Sequence, residues 1–249
     1  MGILQDLLKD IPVPKMAKVQ VEFDNKKIDD LEPVLMEKLQ QEHIKSKIKP
    51  GMEIAVAVGS RGLDRLVELT AVTVKFLTVL GAKPFIVPSM GSHGGATAEG
   101  QREVLAHLGV TEESVGCEIR SSMEVVKIGE LPNGLPVYVD QYAANADGMV
   151  VINRIKPHTA FRGPVESGIM KMISIGLGKQ RGAEACHQLG FKYMAENVPA
   201  MAKMIMEKKP FLFGVATIEN AFDKVAVVDV LSPEEVIGRE ADLQSKAKE

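Results

Sequence analysis

Two histidines in the middle of the sequence lie in segments that would restrain an imidazole ring. His93 lies in the glycine-rich segment SMGSHGGAT, and glycine lets a backbone approach a ligand closely. His158 follows Pro157, and proline restricts the residue before it to extended geometry, which limits where the ring can point. Because imidazole titrates near neutral pH, either ring can transfer protons in a reaction. Either can also be an ordinary polar loop residue, and the pattern leaves both interpretations open.

A lysine and a third histidine follow at a defined spacing. Lys171 lies in the apolar run IMKMI, where loss of hydration lowers the pKa of an amine and favours its neutral, nucleophilic form. The same pattern fits a lysine whose stem lies along an amphipathic helix. His187 stands next to Cys186, but adjacent helix residues point about 100° apart, so we do not expect these two to bind one metal ion. Taken alone, His187 fits a half-buried helix residue or a metal ligand.

No common nucleotide-binding or hydrolase motif accompanies these residues. Residues 176–180 (GLGKQ) resemble part of a phosphate-binding loop but lack its first glycine and the Ser or Thr that binds magnesium. Residues 59–62 (GSRG) lack the glycine spacing of a dinucleotide-binding turn, although Arg61 within them can bind a phosphate or a carboxylate. The G-x-S-x-G turn of serine hydrolases does not occur.

The composition excludes several classes of protein. The chain of 249 residues has a formal net charge of −3 with mixed signs, which argues against a nucleic-acid partner. Cys117 and Cys186 are too few and too far apart for a disulfide framework or a zinc site with paired thiolates. No segment of the sequence approaches the ~20 apolar residues that a membrane span needs. We therefore expect a soluble cytoplasmic protein that binds neither nucleic acid nor membranes.

Short apolar runs alternate with segments of helical periodicity along the chain. The runs at 53–58 and 148–153 show little alternation, as expected of strands that are buried on both faces of a parallel sheet. This order predicts a single α/β domain over residues 1–249, with an open, mostly parallel sheet, helices on both faces and a peripheral β-hairpin. Further strands are predicted at 18–23, 84–87, 211–218 and 224–230, the hairpin at 125–128 and 137–139, and helices at 28–44, 63–80, 97–108, over much of 163–207, and from Ser232 to Glu249.

Three polar loops begin where predicted strands end. They comprise residues 59–62, 88–97 and 153–164, and they contain Arg61 and two of the histidines. Because ligands of open α/β sheets bind beyond the carboxyl ends of the strands, we expect these loops to converge on one crevice.

Together, these residues resemble the N-terminal domain of the lactate racemase family, the 2-hydroxyacid racemases and epimerases that use a nickel-pincer nucleotide. The resemblance runs from about Lys18 to the end of the sequence and is greater to an uncharacterised branch of the family than to lactate racemase itself. The matching positions are the G-x-H segment Gly91–His93, the I-x-P-H segment Ile155–His158, Lys171, His187 sixteen residues after that lysine, and Arg61.

The resemblance implies how a cofactor would be held. Lys171 would bind the nickel-pincer nucleotide covalently, and His187 would be the protein ligand of its nickel ion. Arg61, Gly94 and Gly95 would contact the cofactor. The fold it implies is the α/β fold expected above.

The resemblance also implies a reaction and a partner. His93 and His158 would act on opposite sides of a small-molecule 2-hydroxyacid, one of them taking the hydroxyl proton while hydride leaves the α-carbon for the cofactor. Return of hydride to the opposite face of the 2-keto acid would invert the centre. Family members are longer and carry a second, C-terminal α/β domain that closes over the substrate, so we expect that domain or a partner lobe to complete the site.

The sequence also departs from the family pattern. Residues 159–170 replace a shorter F-A-G-F-S-G-G loop. Two alternatives to a racemase therefore stay open, a nucleotide- or anion-binding module without catalysis and an incomplete domain that is inactive without its partner lobe.

Overall fold

Seven strands and eleven helices occur in the computed structural model, which describes residues 2–249. The strands are β1 (Glu53–Val58), β2 (Lys83–Pro88), β3 (Val125–Glu130), β4 (Pro136–Asp140), β5 (Gly148–Arg154), β6 (Phe211–Glu219) and β7 (Val225–Leu231). The helices are α1 (Ile3–Leu8), α2 (Leu31–Leu39), α3 (Glu42–Lys45), α4 (Leu66–Val79), α5 (Ala98–His107), α6 (Glu112–Val115), α7 (Gln141–Asn145), α8 (Ile169–Lys171), α9 (Lys179–His187), α10 (Met194–Lys208) and α11 (Pro233–Lys246).

Five of the strands form the central sheet, in the order β2-β1-β5-β6-β7. The first four are parallel to one another, and β7 is antiparallel to β6. This confirms the predicted open, mostly parallel sheet. Because β1, β2 and β5 are parallel, the loops that follow them leave the sheet at the same edge.

Both faces of the central sheet are buried. On β1, Ala55 and Ala57 pack into one apolar cluster, whereas Val56 and Val58 pack into a second cluster on the other face. Alternate residues of a strand point to opposite faces, so burial of both faces requires an uninterrupted apolar run. This is why the EIAVAV run of β1 shows little alternation in the sequence.

The helix ends that the sequence marks are capped as expected. The Thr97 side chain accepts a hydrogen bond from the Gly100 amide at the start of α5. At the start of α11, Ser232 and Glu235 form a reciprocal capping box with Pro233 in the first turn. Among residues 2–249, no helix combines the length and apolar character needed to cross a lipid bilayer.

The predicted hairpin is a separate two-stranded antiparallel sheet of β3 and β4. It covers part of the core, because Val137 and Val139 of β4 are fully buried. The strand β4 contacts both α9 and α10. The hairpin therefore supports the helices that follow the third polar loop.

Two predicted elements differ from the structure. Residues 18–23 form no strand, and Val19, Val21 and Phe23 are exposed. Alternation makes a segment suitable for a sheet edge but does not supply one, and within residues 2–249 this segment pairs with no strand. The predicted helix over 28–44 is divided into α2 and α3, because Gln41 is extended and its carbonyl starts the second helix.

This difference leads to a testable contrast in stability. We expect Val21→Ser to change the free energy of unfolding by no more than about 0.5 kcal/mol, because the side chain is exposed. Leu35→Ala in α2 should cost about 2–5 kcal/mol, because Leu35 is fully buried. Urea unfolding of both variants measures these values. A loss above about 1 kcal/mol for Val21→Ser would show that residues 18–23 pack in solution.

Candidate active site

One cleft lies where the polar loops after β1, β2 and β5 converge, and its volume is about 310 Å³. This placement agrees with the expectation that ligands bind beyond the carboxyl ends of parallel strands. The cleft is lined by five of the residues singled out in the sequence: Arg61, His93, His158, Lys171 and His187.

Gly94 and Gly95 do not join these residues in the cleft. They form part of the 3₁₀ turn Gly94–Ala96 that leads into α5. Gly94 has a φ of +66°, and a Cβ on it would lie 2.6 Å from the backbone of Gly100 and Gln101. The glycine at this position therefore allows close packing of the loop on α5.

His93 is paired with Ser60, a residue that no sequence pattern singles out. Its Nδ1 atom lies 2.5 Å from the Ser60 hydroxyl oxygen. Since a hydroxyl can donate or accept, this contact suits either neutral form of the imidazole. Burial lowers the pKa of His93, and the positive charges of Arg61 and Lys171 lower it further. The ring is therefore held in its neutral form at neutral pH.

His158 makes a different set of hydrogen bonds. Its Nδ1 atom accepts from the Ala160 amide at 3.1 Å, so the proton of the neutral ring resides on Nε2. The backbone amide of His158 donates to Glu166 at 2.8 Å, and the imidazole packs 4.5 Å from the Phe161 ring. Burial, followed by the charge of Lys171, lowers the pKa of His158. His158 thus presents a hydrogen-bond donor to the cleft.

Lys171 is the last residue of α8 and precedes the π-helical turn Met172–Gly176. Burial and the neighbouring charges of Lys156 and Arg61 lower its pKa to about 8. Within residues 2–249, no carboxylate lies within ion-pairing distance of its amine. Slightly above neutral pH, a large fraction of this amine is neutral and nucleophilic.

His187 ends α9 with its ring fixed by the helix backbone. Its Nδ1 atom donates to the Ala183 carbonyl at 2.6 Å, which leaves the lone pair of the neutral ring on Nε2. Metal-bound histidines commonly have their other nitrogen bonded to a carbonyl in this way. Cys186 is fully buried, 3.6 Å from the Met194 sulfur, and does not line the cleft. Among residues 2–249, no group of three or more His, Cys, Asp or Glu side chains could hold a metal ion.

A buried lysine supports the loop that carries His93. Lys179, in the GLGKQ segment, is fully buried and hydrogen-bonds to Gln101 Oε1 at 2.9 Å and to the Pro88 carbonyl. Its amine lies 3.4 Å from the buried carboxylate of Asp140. The side-chain amide of Gln101 in turn donates to the His93 carbonyl at 3.2 Å. No sequence motif identifies this cluster, because its members come together only in the fold.

We expect Lys179→Met to lower the free energy of unfolding by about 3–5 kcal/mol, because it leaves the Asp140 carboxylate buried without its cation. The double variant Lys179→Met/Asp140→Asn should recover part of this loss, since no buried charge then lacks a partner. Urea unfolding of both variants and of Asp140→Asn completes the cycle. A cost below about 1 kcal/mol for Lys179→Met would contradict the assignment.

The pKa of Lys171 is directly measurable. Acylation of its amine, followed by peptide mass spectrometry, should reach half its maximal rate near pH 8, because only the neutral amine reacts. Arg61→Met should move this midpoint to higher pH, because a nearby positive charge is removed. Arg102→Met is the matched control, because Arg102 pairs with Glu112 at the surface. A midpoint above about pH 10 in the unsubstituted protein would show that the amine is fully hydrated.

Comparison with known proteins agrees with this architecture. The structure of the lactate racemase apoprotein from Thermoanaerobacterium thermosaccharolyticum superposes with a TM-score of 0.63 at 16% sequence identity, covering 88% of this chain and 56% of that chain. At this identity the likeness shows a shared fold, and the present chain spans little more than half the length of that protein. A comparison with curated proteins gives no match. The family model described as the lactate racemase N-terminal domain matches residues 8–198, and the chain therefore belongs to that family.

Proposed function

We propose that this chain is the cofactor-binding part of a 2-hydroxyacid racemase or epimerase that uses a nickel-pincer nucleotide. One observation supports the proposal above the others. A single cleft contains the lysine, the three histidines and the arginine that the resemblance associates with this chemistry. Membership of the lactate racemase N-terminal domain family gives the broader class, and these side chains suggest the reaction.

The residues of the cleft fit the proposed cofactor. Lys171 has an amine of lowered pKa and no carboxylate partner within residues 2–249, and both favour the neutral, nucleophilic amine that covalent attachment needs. His187 offers one imidazole nitrogen with a free lone pair. A metal ion bound there would need its remaining ligands from the nucleotide, since no group of three or more His, Cys, Asp or Glu side chains within residues 2–249 could hold it. When bound, the nickel-pincer nucleotide supplies a hydride acceptor and donor.

Arg61 would hold the anionic end of a ligand. Its side chain is exposed in the cleft and makes no ion pair among the described residues. A guanidinium can bind a carboxylate or a phosphate through two parallel hydrogen bonds. Arg61 can therefore bind the carboxylate of a 2-hydroxyacid or the phosphate of the nucleotide.

His93 and His158 would move and place protons at the reacting oxygen. The neutral His93 ring can take the hydroxyl proton on Nε2 while its Nδ1 proton is held by Ser60. The neutral His158 ring presents Nε2–H, which can donate a hydrogen bond to the same oxygen. To accept a proton on Nε2, the neutral His158 ring must first carry its own proton on Nδ1, and it then loses the hydrogen bond from the Ala160 amide. The two histidines therefore have complementary but unequal tasks.

The proposal is tested by loading the protein in cells that also make the pincer nucleotide. Intact-protein mass spectrometry should show a covalent mass increment that is lost in Lys171→Ala, and metal analysis should show nickel that is lost in His187→Ala. The increment and the nickel are expected because these two side chains supply the covalent and metal bonds.

Matched controls lie elsewhere on the chain. His107 ends α5 with its Nδ1 atom bonded to the Glu103 carbonyl at 2.7 Å, the same local arrangement as His187, but it lies outside the cleft. His107→Ala should keep both the increment and the nickel, as should Lys75→Ala at the surface. Protein without increment or nickel would refute the proposal. Equal nucleotide binding by Lys171→Ala and His187→Ala would instead support a non-catalytic binding module.

A further inference from the structure

The C-terminal helix α11 presents polar side chains to the interior of the protein. Glu240 and Gln244 lie on a helix with a mostly polar sequence. Glu240 is nevertheless fully buried, and Gln244 is 1% exposed. Lys248 continues the same four-residue spacing just beyond the helix. Residues spaced by four lie on one face of a helix, so Glu240 and Gln244 point in the same direction, and the Lys248 amine reaches the same neighbouring segment through its contact with Glu166. That face meets the segment that carries His158 and leads into Lys171.

Glu240 binds the start of the helix that ends in Lys171. Its carboxylate accepts hydrogen bonds from the Met170 amide at 3.0 and 3.3 Å. The first amides of a helix have no partner within the helix, so a carboxylate from another element can satisfy them. A Cβ on Gly168 would collide with the Glu240 carboxylate, so the glycine permits this approach. Lys171 is the next residue after the amide that Glu240 holds.

Gln244 and Lys248 bind the same segment nearer to His158. The Gln244 carbonyl oxygen accepts from the amides of Glu166 and Ser167, each at 3.3 Å. The Lys248 amine lies 2.7 Å from the fully buried carboxylate of Glu166. Through these contacts the end of the chain is tied to the loop between β5 and α8.

Glu166 passes this support on to the histidine. Its carboxylate accepts from the His158 amide at 2.8 Å and from the Gly163 amide at 3.2 Å. The contact from Lys248 balances its buried negative charge. A charge that is buried without a partner is costly, so loss of Lys248 should weaken the hold of Glu166 on the loop.

We propose that Glu240, Gln244 and Lys248 of the C-terminal segment are positioning residues that fix His158 and Lys171 in the cleft. This inference rests on the proposed function for the meaning of the two site residues. It assigns a task to a helix that lies outside residues 8–198, the range that the family model matches. The contacts are specific, because all three side chains bind the loop 163–170 or the glutamate within it.

The test uses the full chain without cofactor and measures two properties. Hydrogen exchange reports the stability of the amides at 158–170, and the pH dependence of acylation reports the pKa of Lys171. In Gln244→Ala and Lys248→Ala, we expect exchange at 158–170 to accelerate at least roughly tenfold while β1 keeps its protection. The acylation midpoint of Lys171 should also move above pH 8, because a looser segment admits water to the amine.

Two further variants make the result specific. Lys248→Arg should restore both properties, because it keeps the cation beside Glu166. Asp242→Ala is the matched control, because Asp242 lies on the exposed face of α11. If Gln244→Ala does not fold, the Lys248→Ala and Lys248→Arg pair decides, since the Lys248 side chain itself is partly exposed.

Unchanged exchange and an unchanged acylation midpoint in Lys248→Ala would overturn the inference. Equal acceleration at 158–170 and in β1 would also overturn it, because this would show a general loss of stability. Neither measurement depends on nickel, nucleotide or turnover. Failure of the positioning inference and failure of the proposed function are therefore separate results.

Discussion

The geometry of the cleft depends on the hydrogen bonds and the ion pair that the buried amine of Lys179 makes. It joins the end of β2, the helix α5 and the end of β4 through Pro88, Gln101 and Asp140. Burial opposes the charged form of both ions, raising the pKa of Asp140 and lowering that of Lys179, while their mutual attraction acts in the opposite direction. Because separating them would leave buried charges without partners, these elements must stay together. Gln101 is thereby oriented to hold the loop of His93.

Lys179 also lies at the bend in the chain that brings Lys171 and His187 into one cleft. In a continuous α-helix, residues sixteen positions apart would lie about 24 Å from each other. The chain avoids this separation with the π-helical turn Met172–Gly176, followed by Lys179 in the left-handed region with a φ of +53°. A Cβ on Gly178 would lie 2.7 Å from the Gly182 backbone, so the bend also needs a glycine. The sixteen-residue spacing of Lys171 and His187 therefore brings both side chains to one cleft only because the helix between them is interrupted.

Much of the fold could be predicted because local patterns determine it. Strands buried on both faces must be apolar throughout, and strand ends indicate where polar loops converge, which is how Arg61 and His93 could be grouped from their positions in the sequence. The bond from Ser60 to His93 and the roles of Gln101 and Glu240 could not be identified in this way, since they arise from contacts between distant parts of the chain. Residues 18–23 show the opposite kind of error, a predicted strand that does not form, because a strand-like pattern does not provide a neighbouring strand.

The hydrogen bonds of the two histidines make the cleft chemically one-sided. Ser60 can rotate its hydroxyl proton to suit His93, whereas the Ala160 amide can only donate to His158. An enzyme that interconverts mirror-image substrates would present unlike groups to the two enantiomers. Since enantiomers have equal free energy in water, the values of kcat/KM in the two directions must be equal. The unequal surroundings would then appear as different kcat values for the two directions. The KM values would differ between the directions by the same factor as the kcat values.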